Sequence, residues 1–143
     1  MQHFNFKKTI SLLILCGALI TTEGAMAQKK APWTAPPDAA AKKNPLAGNA
    51  TVMPEAKKLY ETNCSPCHGM KGKGDGAAAA GLTTKPADHS SAAIQSQTDG
   101  TLFWMITEGR NPMPTYKTVF TEKQRWELVN YIRTLAAAPK TKK

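Results

Sequence analysis

The sequence predicts an all-α domain of three or four short helices joined by long loops. Three apolar patterns with helical spacing occur between about residues 51 and 138, each bounded by capping residues, Gly or Pro. The segments between them are rich in Gly and Pro and contain no β-branched run that would favour a strand. A domain of this size buries little surface by itself, so we also expect a large apolar cofactor to complete the core.

The first 27 residues have the order of a secretory signal peptide. Lys7 and Lys8 precede an apolar run of twelve residues, and Ala25 and Ala27 form a small-residue cleavage pattern. The run is shorter than the roughly 20 residues that a transmembrane helix needs. We therefore expect cleavage between Ala27 and Gln28, export to the periplasm, and a mature chain without a transmembrane segment.

The mature chain is strongly basic. The full sequence has 19 Lys and Arg against 10 Asp and Glu, and removal of Lys7, Lys8 and Glu23 leaves 17 against 9, a net charge of +8. The basic surface favours acidic partners or an anionic membrane face, whereas scattered cations and export disfavour nucleic acid. Residues 28–50 are rich in Pro, Ala and Lys without an apolar period and predict a flexible tether. Residues 139–143 form a basic tail.

The three helical patterns begin and end with residues typical of helix termini. Residues 54–69 begin with Pro and Glu and end in Gly, and residues 98–109 begin with a Thr-Asp cap and also end in Gly. In residues 121–138, Thr121 and Gln124 form a capping box. The predicted apolar face of this last helix contains Leu128, Val129, Ile132, Leu135 and Ala136.

Cys64, Cys67 and His68 form a C-x-x-C-H motif at the end of the first helix. Zinc would need a fourth ligand, and His89 is the only other histidine left after export. A redox dithiol would need a βαβ setting, and a structural disulfide would leave His68 without a role. C-x-x-C-H is the attachment sequence of c-type haem, in which both thiols form thioethers and the histidine binds iron. We therefore predict one covalent haem c, with zinc, dithiol and disulfide as alternatives.

Met113 is the favoured sixth ligand of the iron, because its flanking prolines stiffen the loop that presents it. Met105 lies among apolar residues of the second helix and is expected to pack in the core. Met70 lies too close to the motif histidine to reach the opposite face of a haem. His89, in the stretch DHSS, is expected at a solvated helix start.

The stretches CSPCHGMKGKGDG, GTLFWMITEGRNPMPTY and RWELVNYIRTL occur in this order. They resemble a class I c-type cytochrome, the small exported single-haem kind, over residues 51–138. The resemblance implies a cytochrome c-like fold in which the first and last helices cross. At the crossing, Ala56 and Tyr60 should meet Leu128 and Tyr131.

The resemblance also places Met113 in the family's methionine loop. One stretch departs from many members, because AAAAGL stands where a Gly-Pro pair usually follows GDG. A backbone carbonyl near that pair accepts the N–H of the axial histidine. We expect the corresponding carbonyl here between Ala77 and Leu82.

A haem iron bound by His68 and Met113 has no open position for a substrate, which predicts one-electron transfer rather than an enzyme. The alternatives are a gas sensor with a labile Met113 and the cytochrome subunit of a periplasmic dehydrogenase or oxidase. A two-haem peroxidase is disfavoured because the chain has one C-x-x-C-H motif.

Two further sets of residues are predicted around the haem. The pocket is expected to contain Leu82, Phe103, Trp104, Ile106, Tyr116 and Phe120, with Arg110 or Trp104 bonded to a propionate. The docking rim is expected to contain Lys71, Lys73, Lys85 and Lys117.

Overall fold

The computed structural model of the protein describes residues 32–136. Six helices lie in this range: α1 Pro37–Ala40, α2 Met53–Asn63, α3 Ser65–His68, α4 Ala92–Gln95, α5 Asp99–Glu108 and α6 Glu122–Thr134. Two 3-10 turns, Ala50–Val52 and Ala77–Gly81, lie between them. Extended pairing in this range is limited to an isolated bridge between Arg110 and Met113. The predicted all-α fold is confirmed. The predicted signal peptide and basic tail lie outside the described residues.

The predicted helix at residues 54–69 is present as α2 and α3, which are separated at Cys64. The N–H of His68 still donates to the carbonyl of Cys64 at 2.8 Å, so the two helices are nearly continuous. Gly69 ends α3 with a φ of +78°, and a Cβ there would lie 1.9 Å from Oδ1 of Asp75. Only glycine fits this sharp end, which places the motif immediately before a turn.

The other two predicted helices also begin at their expected caps. The Thr98 side chain accepts from the N–H of Thr101 at the start of α5, and Thr121 and Gln124 form the predicted capping box of α6. On α6, Leu128, Val129 and Ile132 are buried. Leu135 is partly buried and Ala136 is exposed, because α6 ends at Thr134 and the chain leaves the helical face there.

The crossing of α2 and α6 forms the centre of the core. Ala56, Tyr60 and Leu128 have no exposed surface, and the rings of Tyr60 and Tyr131 lie 4.8 Å apart. These contacts agree with the predicted crossing. Helix α5 adds Leu102, Phe103 and Ile106 to the same core. No helix within residues 32–136 has both the length and the apolar character needed to cross a membrane.

Residues 33–50 differ from the flexible tether that their composition predicts. Helix α1 packs against α5, and a Cβ on Gly100 would lie 2.3 Å from the carbonyl oxygen of Ala39. Asn44 Nδ2 donates to Asp99 at 2.9 Å and to Asn130 at 2.8 Å. Because these partners come from α5 and α6, the docking of the segment depends on contacts that its own composition does not reveal. Residues 28–31 lie outside the described part.

Candidate cofactor site

The two cysteines of the motif lie on one short turn of the backbone. Cys64 links α2 to α3, and the N–H of Cys67 donates to the carbonyl of Cys64 at 3.2 Å. Both thiols are free and half-buried. Burial, with a smaller effect of the nearby Cys67, raises the pKa of the Cys64 thiol to about 12.

The imidazole of His68 is oriented by a backbone carbonyl. Its Nδ1 lies 3.0 Å from the carbonyl oxygen of Ala87. A carbonyl can only accept, so Nδ1 carries the proton and the lone pair is on Nε2. Burial lowers the pKa of His68, and the bond to Ala87 opposes that effect. A neutral imidazole with its lone pair on Nε2 is the form that binds a metal.

The carbonyl that holds His68 was expected between Ala77 and Leu82, and that expectation is wrong. Residues Ala77–Gly81 form a 3-10 turn whose bonds are local. The chain then returns to α3, where the N–H of His89 donates to Gly72 at 2.6 Å. This return places Ala87 beside His68.

His89 is buried beside His68, so its expected solvated position is also wrong. The two imidazole rings stack with their centroids 4.0 Å apart and an angle of 18° between their planes. Burial, followed by the proximity of His68, lowers the pKa of His89 to about 3. The stretch DHSS does form turns before α4, but the histidine faces inward.

Met113 lies in the loop between α5 and α6. Its N–H donates to Arg110 at 2.8 Å and its carbonyl accepts from Arg110 at 2.9 Å. The preceding Asn111–Pro112 peptide bond is cis. Met113 is partly buried and packs against the core, whereas Met105 is half-buried on α5. These hydrogen bonds agree with the expectation that the loop around Met113 is stiff. The role of Met113 as an iron ligand stays a prediction.

Tyr116 is a predicted pocket residue that contacts the residue before the motif. Its hydroxyl donates to the carbonyl of Asn63 at 3.0 Å, and its ring stacks on Phe120 at 4.9 Å. Burial raises the pKa of Tyr116 to about 12, with smaller contributions from Cys64 and Cys67. Tyr116 therefore ties the α5–α6 loop to the end of α2, next to the motif.

The other predicted pocket residues have varied surroundings. Phe103 stacks on Trp126 at 4.0 Å and packs within the helical core. Trp104 contacts Trp33, with ring centroids 6.1 Å apart. Leu82 follows the 3-10 turn and is half-buried, Ile106 is buried, and Arg110 is half-buried. The pocket roles of these residues, Phe103 included, stay predictions.

The side chains that could ligate a metal can be compared with the zinc alternative. Within residues 32–136, no group of three or more His, Cys, Asp and Glu side chains is arranged to hold a metal ion. Cys64, Cys67 and the Nε2 of His68 instead supply two thiols and one imidazole nitrogen. These are the groups that a covalently attached haem requires.

Two of the four predicted rim lysines take part in ion pairs. Lys73 lies 3.7 Å from Asp88 and also bonds to the Ser90 hydroxyl. Lys117 lies 3.5 Å from Glu108. Lys71 and Lys85 are exposed. Lys71 and Lys85 therefore carry the positive charges that are most available to a partner protein.

An all-α fold with C-x-x-C-H at the end of its first long helix defines a c-type cytochrome of the small class I kind. The family model for cytochrome c oxidase, cbb3-type, subunit III, matches residues 51–132, and the chain belongs to this family. The cofactor is therefore covalently bound haem c, and the chemistry is haem-based electron transfer. No curated protein matches the chain.

Two solved structures illustrate the likeness. A chain of the Kuenenia stuttgartiensis reducing HAO-like protein complex Kustc0457/Kustc0458 is 27% identical, with a TM-score of 0.59. That match covers 65% of this chain and 47% of the other, so this protein spans about half the length of that relative. The c-type cytochrome KustC0563 is 26% identical, with a TM-score of 0.51 over 57% of this chain and 98% of its own. Both likenesses agree with the cytochrome fold.

Proposed function

We propose that this protein is a single-haem electron carrier or relay in which Cys64 and Cys67 hold the haem and His68 and Met113 bind its iron. The observation that carries the proposal is the bond from Nδ1 of His68 to Ala87, which leaves Nε2 free beside two thiols. Each thiol adds its sulfur and its hydrogen across one vinyl C=C bond, so the attachment needs no oxidant. When bound, the haem supplies an iron that alternates between Fe(III) and Fe(II).

The chain's own residues then keep the iron site closed and dry. Tyr116 stacks on Phe120, and its hydroxyl bonds to Asn63, the residue before the motif. Met113 belongs to the same α5–α6 loop. Apolar surroundings favour the less charged ferrous state, and thioether ligation raises the potential relative to histidine alone. With both axial positions held, the protein transfers electrons and carries out no substrate chemistry of its own.

The proposed partners are redox proteins with acidic docking surfaces. The predicted mature charge of +8 attracts such surfaces over distance. The exposed Lys71 and Lys85 are the principal contacts that we propose. We propose a periplasmic location, which is supported by the signal-peptide pattern in residues 1–27 and by the family, whose members are typically exported.

A second candidate function is a permanent subunit of a redox complex. The observation that favours it is the likeness to a chain of a solved protein complex. Size-exclusion chromatography of the protein from its native host separates the two candidates. A carrier elutes as a single small haem protein, whereas a subunit elutes with its partner chains.

Two measurements test the haem assignment. Acid–acetone extraction should leave the colour with the wild-type chain, whereas a Cys64→Ala, Cys67→Ala variant should carry no covalent haem. Ferrous wild-type protein should not bind carbon monoxide, because Met113 holds the sixth position. Covalent haem in the double variant would overturn the attachment sites. A readily formed carbon monoxide adduct would favour the gas sensor.

A further inference from the structure

Three aromatic side chains form a row that ends at the motif histidine. Tyr60 on α2, His89 before α4 and His68 on α3 come from three different segments. The Tyr60 oxygen lies 3.2 Å from Nδ1 of His89, and the ring of His89 stacks on the ring of His68. Tyr60 has no exposed surface and His89 is 8% exposed. His89 is therefore part of the core and in direct contact with the proposed axial ligand.

The hydrogen bonds of Tyr60 assign the proton of His89. The same Tyr60 oxygen also lies 3.2 Å from the carbonyl oxygen of Gly69. That carbonyl can only accept, so the single hydroxyl proton of Tyr60 points towards it. Nδ1 of His89 must then donate to the Tyr60 oxygen. The ring of His89 thus donates a hydrogen bond to Tyr60, and Tyr60 donates one to the carbonyl of Gly69. Gly69 is the residue directly after His68.

The backbone of His89 is held independently of its ring. Its N–H donates to Gly72 at 2.6 Å. Its carbonyl accepts from Nε2 of Gln95 at 2.7 Å, and the same Nε2 donates to Ile132 of α6 at 2.9 Å. Ring and backbone are thus both fixed, and the position of His89 is tied to α2, α4 and α6.

We propose that His89, fixed by Tyr60, is a positioning residue that sets the plane of the His68 imidazole. This inference rests on the proposed function, because it takes His68 as the axial ligand. Besides its covalent Cβ–Cγ bond, the His68 ring is held by one hydrogen bond to Ala87. Small rotations about Cβ–Cγ can still tilt the plane of the ring. The flat face of His89 at 4.0 Å blocks that tilt on one side. A fixed ligand plane keeps the iron environment the same in both oxidation states.

The test compares four variants of the covalent holoprotein. His89→Ala removes the stacked ring, and His89→Phe restores a flat ring without the bond to Tyr60. Tyr60→Phe keeps its packing but removes the hydroxyl. Ser90→Ala is the matched control, because Ser90 is buried in the same turn but its hydroxyl bonds to Asp88 and Lys73 rather than to His68. The readouts are the paramagnetically shifted haem-methyl proton resonances of the ferric protein, which report the plane of an axial histidine, and the melting temperature.

We expect His89→Ala to redistribute the haem-methyl shifts and His89→Phe to restore most of the wild-type pattern. Tyr60→Phe should cause a smaller change in the same direction as His89→Ala. Ser90→Ala should lower the melting temperature and leave the pattern unchanged. A wild-type pattern in His89→Ala would overturn the proposal, as would equal changes in the alanine and phenylalanine variants or in Ser90→Ala. A wild-type spectrum without the shifts of a histidine-bound low-spin haem would instead overturn the proposed function.

Discussion

The docking of residues 33–50 can be tested by replacing Asn44 with Ala. The Asn44 side chain donates to Asp99 and Asn130 and accepts from the N–H of Leu46 at 2.9 Å. A partly buried hydrogen bond contributes about 0.5–1.5 kcal/mol net. Loss of all three is partly offset because Asp99 keeps its pair with Arg133 at 2.7 Å and water reaches the site. We therefore expect Asn44→Ala to lower the free energy of unfolding by about 1–3 kcal/mol.

The assay is equilibrium unfolding of the holoprotein in guanidinium chloride, with the haem absorbance and the far-UV circular dichroism as probes. Asn49→Ala is the control, because its side chain bonds only to the exposed Thr51 close by. Loss of that local cap should cost about 1 kcal/mol or less. A second readout is tryptic cleavage at Lys42 and Lys43, which should become faster in Asn44→Ala. If Asn44→Ala unfolds at the wild-type midpoint and is cleaved at the wild-type rate, the segment is the flexible tether that its composition predicts.

Three further predictions concern the site. Met113→Ala should abolish the near-infrared band between a thioether and ferric iron and lower the reduction potential, which axial ligands move over about 0.8 V. Met105→Ala should keep the band and lose about 2 kcal/mol of stability; the opposite pattern would identify Met105 as the ligand. Lys71→Glu and Lys85→Glu, made singly, should each slow electron transfer with the native partner more than Lys58→Glu does. That difference should become smaller as salt shortens the Debye length from about 30 Å at 0.01 M to about 8 Å at 0.15 M. An electron-transfer rate that does not change with salt concentration would exclude steering by these charges. Because the folded pKa of Tyr116, about 12, exceeds its unfolded value of 10.0, its contribution to stability is complete below pH 10 and is lost as the pH rises towards 12. Tyr116→Phe should remove that part of the alkaline decline in unfolding free energy, and an unchanged decline would show that other groups cause it.

The helices were predictable because their signals lie within a few residues of one another. Thr121 and Gln124 form a capping box three residues apart, and Gly69 and Gly109 end their helices at the positions that the sequence indicates. The crossing of α2 and α6 was implied by resemblance to a known family. Burial of Tyr60 and Leu128 agrees with it.

The mistaken expectations share a different cause, since each involves partners far apart in sequence. The carbonyl beside His68 belongs to Ala87, 19 residues away, because the loop turns back after the 3-10 segment. His89 looks solvated among Asp and Ser, but Tyr60 and His68 bury it. The sequence around Asn44 does not indicate its hydrogen bond to Asn130, which lies 86 residues further along the chain.

The sequence by itself determined the chemistry of the site, because C-x-x-C-H places two thiols and an imidazole within five residues of one helical turn. Local geometry is enough to bring those groups together, and the capping residues are enough to bound the helices. Only the tertiary structure decided which groups surround that turn. The loop that carries Ala87 and His89 has weak local preferences, so its path is set by hydrogen bonds to Gly72 and by the packing of Tyr60. Those contacts form only when α2, α3 and α6 have come together.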